Sequence, residues 1–149
     1  KRTIVYTMIL NSASAQHYWG FIDEYSSWNL DKFPFQVIEN LRSKMPTPFF
    51  TFLVTGSYAK RTETKISDID IVIVSDFDKE RIYSELKYES ETSIPKTHLY
   101  VFTKQDFLDM LNSKKDNYGR EIAKNKLILF GGASYYSILA EAIAHGFRG

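Results

Sequence analysis

Two aspartates, Asp68 and Asp70, stand at the head of an apolar run that reads Asp-Ile-Asp-Ile-Val-Ile-Val over residues 68–74. Side chains of a strand alternate between its two faces. Asp68, Asp70, Val72 and Val74 therefore share one face, and Ile69, Ile71 and Ile73 share the other. The two carboxylates then lie about 7 Å apart on one side. Uncompensated, they repel each other and raise each other's pKa. A divalent cation such as Mg2+ or Mn2+ removes that cost, because hard ions take oxygen ligands. Upstream sits Gly56-Ser57. Gly56 can adopt backbone angles closed to other residues and lets a ligand approach closely. Ser57 offers a hydroxyl and a backbone N–H at a helix start, where dipole and free donors favour phosphate.

These residues need elements to hold them. Residues 49–54, Phe-Phe-Thr-Phe-Leu-Val, form a short apolar run after Pro46 and Pro48 and before Gly56, which is a buried-strand signature. Residues 68–74 return as a second strand, residues 97–102 alternate as a third, and residues 127–130 form a short last one before Gly131-Gly132. A helix over 13–28 carries Tyr18, Trp19, Phe21, Ile22 and Tyr25 on one face, read as core packing. A second, over 31–44, has Asp31 as N-cap, Pro34 in its first turn, and Val37, Ile38 and Leu41 facing the core. Asp78 caps a helix reaching about residue 87, and the polar stretch 88–96 with Pro95 reads as a loop. Thr103 with Asp106 forms a capping box ahead of Phe107, Leu108 and Leu111. Helices follow over 118–126 and through Tyr135, Ile138, Leu139, Ala142 and Ile143. Residues 3–10 are assigned to a helix continuing an upstream element. The order of elements predicts an α/β (α+β) fold, with helices packed on a small mixed sheet.

Gly56-Ser57, the ten residues 58–67, and Asp68-Ile69-Asp70 together resemble the nucleotidyltransferase superfamily of minimal, DNA polymerase beta-like enzymes, with its pattern Gly-Ser, ten residues, Asp-x-Asp. The resemblance is strongest over residues 49–74 and extends more weakly to the C-terminus. It implies a nucleotidyltransferase core over 46–149, an N-terminal helical extension over 1–45, and one domain in all. It also implies nucleotide-binding roles for Gly56, Ser57 and Lys60, and catalytic and metal-binding roles for Asp68 and Asp70. The cofactor would be Mg2+ or Mn2+, with ATP or another NTP as substrate. The implied reaction is transfer of an NMP, AMP from ATP, to a hydroxyl of a protein or small molecule. Small members of the superfamily resemble antitoxins that modify a partner toxin, so a HEPN-type protein is the implied partner. The family commonly carries a third carboxylate on the following strand. Residues 97–102 contain none, and His98 or Tyr100 stands where it is sought. That departure supports the alternative reading, a catalytically degenerate module that binds nucleotide or a partner and regulates. Arg61 stands where the family more often has a small residue.

Composition narrows the classes. At 149 residues the chain is long enough for one domain with a real core. A net charge of +1 argues against nucleic acid as a partner and so against an RNA-directed enzyme. The absence of cysteine excludes disulfides and thiolate metal sites and agrees with a cytoplasmic setting. Lys1-Arg2, the apolar residues 3–10 and Ala13-Ser14-Ala15 imitate a secretory signal, but Thr3, Tyr6 and Thr7 interrupt its apolar part. Asn11, Ser12, Ser14, Gln16 and His17 make the region too polar to span a bilayer. The start at Lys1 instead of Met is read as a trimmed chain or a segment of a longer one. Asp76, Glu89 and Glu91 are the other acids considered for the metal, at a distance or in a loop. His17, His98 and His145 lack paired metal-ligand spacing and are read as structural. No P-loop, Rossmann fingerprint or Ser-His-Asp set occurs.

Overall fold

The strand Thr51–Thr55 (β1) is buried at every residue and lies at the centre of a four-stranded sheet. In this computed structural model, which describes residues 9–148, β1 is flanked by Ile69–Val74 (β2) and Leu127–Phe130 (β4), both antiparallel to it. Thr97–Phe102 (β3) pairs with β2 in parallel, giving the order β3-β2-β1-β4. A parallel neighbour needs a crossover, and the helix Lys79–Thr92 supplies it. The mixed sheet with helices on both faces matches the fold class expected from the sequence.

Alternation along β1 and β2 builds two cores. Phe52, Val54, Ile69, Ile71 and Ile73 pack on one face with Val37, Ile38 and Leu41 of Phe35–Ser43 and with Ile82 and Leu86 of Lys79–Thr92. Leu53, Val72 and Val74 pack on the other with Phe107, Leu108 and Leu111 of Lys104–Asn112, Ile122 of Tyr118–Lys124, and Tyr135, Ile138 and Ala142 of Gly132–Ala144. In chain order the helices are α1 (Ala13–Trp28), α2 (Phe35–Ser43), α3 (Gly56–Lys60), α4 (Lys79–Thr92), α5 (Lys104–Asn112), α6 (Tyr118–Lys124) and α7 (Gly132–Ala144). None of the described helices is long and apolar enough to cross a membrane.

Local signals explain several boundaries. Thr103 and Asp106 form the full capping box of α5. Asp78 caps α4, accepting from Arg81 N at 3.2 Å. That helix runs to Thr92 rather than ending near residue 87, because Ser90 turns inward and donates to Thr97 O at 3.1 Å. Its last turn therefore docks on β3, and the loop expected over 88–96 shrinks. α2 begins at Phe35 with Pro34 in the N-cap position, so Asp31 does not cap it. The helix assigned over residues 3–10 falls on residues outside those described, save Ile9 and Leu10, which are not helical.

α1 spans the predicted residues, but its aromatic face is not the core face. Tyr18, Phe21 and Tyr25 are 63%, 66% and 63% exposed. The helix instead lays Gly20 on the start of α7: a Cβ on Gly20 would fall on Ala133 N and lie 2.5 Å from Gly132 C. Backbones this close leave no room for large side chains, so the aromatic stripe turns outward. Glu24 accepts from Gly132 N and Trp28 Nε1 donates to Leu129 O at 2.8 Å, fastening α1 to α7 and to the edge strand β4. A sheet edge covered in this way is protected from pairing with another chain. Gly20→Ala is expected to push α1 off α7 and cost about 1–3 kcal/mol in urea unfolding; an unchanged midpoint would contradict the close approach.

Candidate active site

Asp70 is the second residue of β2 and Asp68 stands just before the strand. They continue the face of Val72 and Val74 beyond the apolar cover of α5, α6 and α7. The side chains of Asp68 and Asp70 remain 38% and 29% exposed. The antiparallel register sets Asp70 opposite Thr55, the last residue of β1. Gly56 follows immediately with φ +67°, and a Cβ there would fall on Asp70 Oδ2. Only glycine combines that left-handed backbone with that contact. The strand pairing therefore brings the Gly56-Ser57 turn and the two acids together, although ten residues separate Ser57 from Asp68 in sequence.

On the other side of β2, the parallel register sets His98 opposite Asp70 and Tyr100 opposite Val72. His98 Nδ1 lies 3.3 Å from Asp70 Oδ1, and Nε2 lies 3.4 Å from Asp68 Oδ2. The His98 side chain is 58% exposed. Tyr118, at the start of α6, packs tilted against Tyr100 with ring centres 4.9 Å apart. Its hydroxyl is buried without a hydrogen-bond partner. Burial first, then the negative charge of Asp70 and the neighbouring Tyr100, push its pKa well above that of an ordinary tyrosine. It stays protonated at neutral pH. Tyr58 of α3 is likewise raised, by burial and then by Glu63 and Asp68.

Lys60 closes α3, and its ammonium lies 2.6 Å from Glu121 on α6. The hydrogen bond and charge of Lys60 hold the Glu121 carboxyl below the usual range. Lys60 is therefore tethered beside the site, while Arg61 at the left-handed C-cap is exposed. The other acids considered from sequence lie elsewhere. Glu89 binds Lys44 at 2.9 Å and Asn40 at 3.0 Å, which lowers its pKa. Glu91 is 3.9 Å from Lys87 on the same helix. Asp76 accepts from Lys104 N at 2.9 Å at the opposite end of β2. No carboxylate of β3 faces the pair. Tyr118 and Glu121 were missed because α6 reaches the site only through tertiary packing. His98, which the sequence sets where a third carboxylate is sought, comes beside Asp70 through the in-register parallel pairing of β2 with β3.

Two partly exposed carboxylates on one face are donors of the kind a hard divalent cation takes. Among the described residues, no three His, Cys, Asp or Glu side chains already converge as a preformed cage. Two clefts open along the sheet. One of about 590 Å3, lined by Phe49, Phe50, Phe77 and Phe130 among others, is at the far end of the sheet. The other, about 680 Å3, runs between α4 and β3 and includes His98 and Tyr100. Asp68 and Asp70 line neither, and their side chains are partly exposed to solvent. Gly56→Ala is expected to cost about 1–2 kcal/mol from the left-handed backbone and to displace the Asp70 carboxylate. Thermal unfolding and NMR of the Asp70 neighbourhood check this, and a wild-type spectrum would refute the contact.

No curated protein sequence matches the chain. The fold is similar to a chain in the crystal structure of a toxin-antitoxin with AMP-PNP, at TM-score 0.50 and 15% identity, covering 75% of this chain and 86% of that one. A family model for the nucleotidyltransferase domain matches residues 36–130. It takes in the Gly56-Ser57 turn, both aspartates and all four strands, and the chain belongs to the nucleotidyltransferase domain family.

Proposed function

We propose that this protein transfers AMP from ATP to a hydroxyl group of a partner protein. The observation that carries the reading is the approach of Gly56 to Asp70, which gathers the Gly56-Ser57 turn and two carboxylates at one end of β2. A divalent ion, Mg2+ or Mn2+, held by Asp68 and Asp70 would neutralise triphosphate charge. The acceptor oxygen attacks the α-phosphorus, its proton passes to solvent or a nearby base, the bond to the bridging oxygen breaks, and pyrophosphate leaves. The chain's own work is positioning and charge stabilisation. Gly56 keeps the backbone close to Asp70, and the Ser57 hydroxyl and N–H face the phosphates. Lys60, held by Glu121, contributes positive charge at the edge of the turn.

The open face around the acids suits a macromolecular hydroxyl better than a small molecule that must be enclosed. The toxin-antitoxin character of the structural neighbour, bound to an ATP analogue, agrees with a protein acceptor, and a HEPN-type toxin is the class to try first. A small-molecule hydroxyl is the other acceptor class.

A second reading has one observation in its favour: His98, not a carboxylate, faces the acids, as in a module that binds nucleotide without turning it over. Incubation with α-labelled ATP, Mg2+ or Mn2+, and candidate partner proteins separates the two. Transfer is expected for the wild type, with a loss on the order of 100-fold or more in Asp70→Asn. Calorimetric binding of ATP with no transfer to any protein or aminoglycoside-type acceptor would favour the second reading.

A further inference from the structure

The two edges of the sheet are closed in different ways. At β4, α1 lies along the edge and Trp28 Nε1 donates to Leu129 O. At β3, side-chain hydroxyls reach the edge from α4. We propose that the outer edge of β3 docks an extended segment of the acceptor protein, which pairs in parallel with Leu99–Val101. That the occupant is the acceptor rests on the protein-acceptor reading above; the edge itself does not.

The backbone of β3 shows which groups face outward. Ile69 N donates to Lys96 O at 2.8 Å and Ser75 N to Phe102 O at 3.0 Å, so the even-numbered residues turn their backbone groups to β2. Alternation turns those of Thr97, Leu99 and Val101 away from the sheet. Ser90 donates to Thr97 O and closes that end. Further along, the Tyr83 hydroxyl accepts from Val101 N at 3.2 Å and donates to Leu99 O at 3.4 Å.

That pair of bonds is the one a single residue of a parallel neighbour makes. Its N–H donates to the carbonyl before the facing residue, and its carbonyl accepts from the N–H after it. The Tyr83 hydroxyl therefore stands where an added strand would place the residue opposite Tyr100. Its bonds are longer than the usual 2.9–3.0 Å or so of a backbone pair. A peptide group that displaces it makes shorter ones, and the Leu99 N–H and Val101 carbonyl face the same edge for its neighbours. Tyr83 is 38% exposed and has solvent to swing into.

Space and position agree. The cleft of about 680 Å3 between α4 and β3 runs along this edge. Its α4 wall carries Glu80 and Glu91 against Lys87, which suits a neutral or weakly basic segment. His98 lines the same cleft and lies within 3.4 Å of Asp68 and 3.3 Å of Asp70, so the groove is continuous with the acids. An added residue opposite His98 lies two strand spacings, about 10 Å, from the Asp70 backbone and shares its face. A hydroxyl side chain there points to the side of the sheet that carries the acids. Main-chain pairing of this kind recognises extended segments. A second copy related by a twofold axis would bring its β3 antiparallel, against the parallel pattern that Tyr83 marks.

The test is an NMR titration of the 15N-labelled full chain, without ATP or metal. The probe is a capped peptide of alternating threonine and valine ending in lysine. Shifts of the Leu99 and Val101 amides are expected, with binding about threefold or more tighter in Tyr83→Phe, where no hydroxyl competes for the edge. The same peptide with N-methylated amides should not bind. A nitroxide at the peptide's N-terminus should broaden Thr97 and His98 more than Phe102, as parallel docking requires. Unmoved Leu99 and Val101 amides, equal binding of the N-methylated peptide, weaker binding in Tyr83→Phe, or broadening centred on Phe102 would each overturn the docking. Concentration-dependent shifts of the same amides without peptide would assign the edge to a second copy and overturn it too. With ATP and metal absent, any of these results leaves the transfer reaction standing. A docked partner that receives no AMP would count against the transfer and not against the edge.

Discussion

The structure turns on one contact: the backbone of Gly56 against the carboxylate of Asp70. It exists because β1 and β2 are antiparallel and Thr55 pairs with Asp70, so the end of one strand meets the start of the next. Glycine is required twice over, for φ +67° and for the space that a Cβ would take from Asp70 Oδ2. The ten residues between Ser57 and Asp68 serve as the return path, one short helix and a loop. The spacing motif is thus the trace, in sequence, of a register between two neighbouring strands.

Burial secures that register. β1 is covered on both faces, so a slip of one residue would exchange Phe52 and Val54 with Leu53 between two different cores. The same alternation drives Asp68 and Asp70 to the face of Val72 and Val74, and it sets His98, Tyr100 and Phe102 beside them. The carboxylates stay partly exposed, while Tyr118 packs against Tyr100 and Phe102 with its hydroxyl buried. An exposed, charged rim above an aromatic floor follows from where the apolar residues end in each strand.

Much of this was readable because it is local. Period-two alternation in residues 68–74, the capping box of Thr103 and Asp106, and the punctuation by Gly131-Gly132 each act within a few residues. What sequence reading missed depends on which element meets which. Tyr18, Phe21 and Tyr25 have the helical spacing of a core face, yet the close approach of Gly20 to α7 turns them to solvent. Glu121 reaches Lys60 from α6, and nothing near either residue announces the pair. The position of His98 was legible but its contacts with Asp68 and Asp70 were not, because they run across strands, not along them.

The proposed function requires Asp68 and Asp70 together to hold a cation against the phosphates of a nucleotide at the Gly56-Ser57 turn. The most direct measurement is anomalous diffraction from crystals grown with Mn2+ and a non-hydrolysable ATP analogue. The predicted result is an anomalous peak within ligand distance of both carboxylates, with the analogue's phosphates on the Gly56-Ser57 side of it. Mn2+ and nucleotide bound elsewhere, in the cleft of Phe49 and Phe77 for example, with Asp68 and Asp70 unliganded, would contradict it.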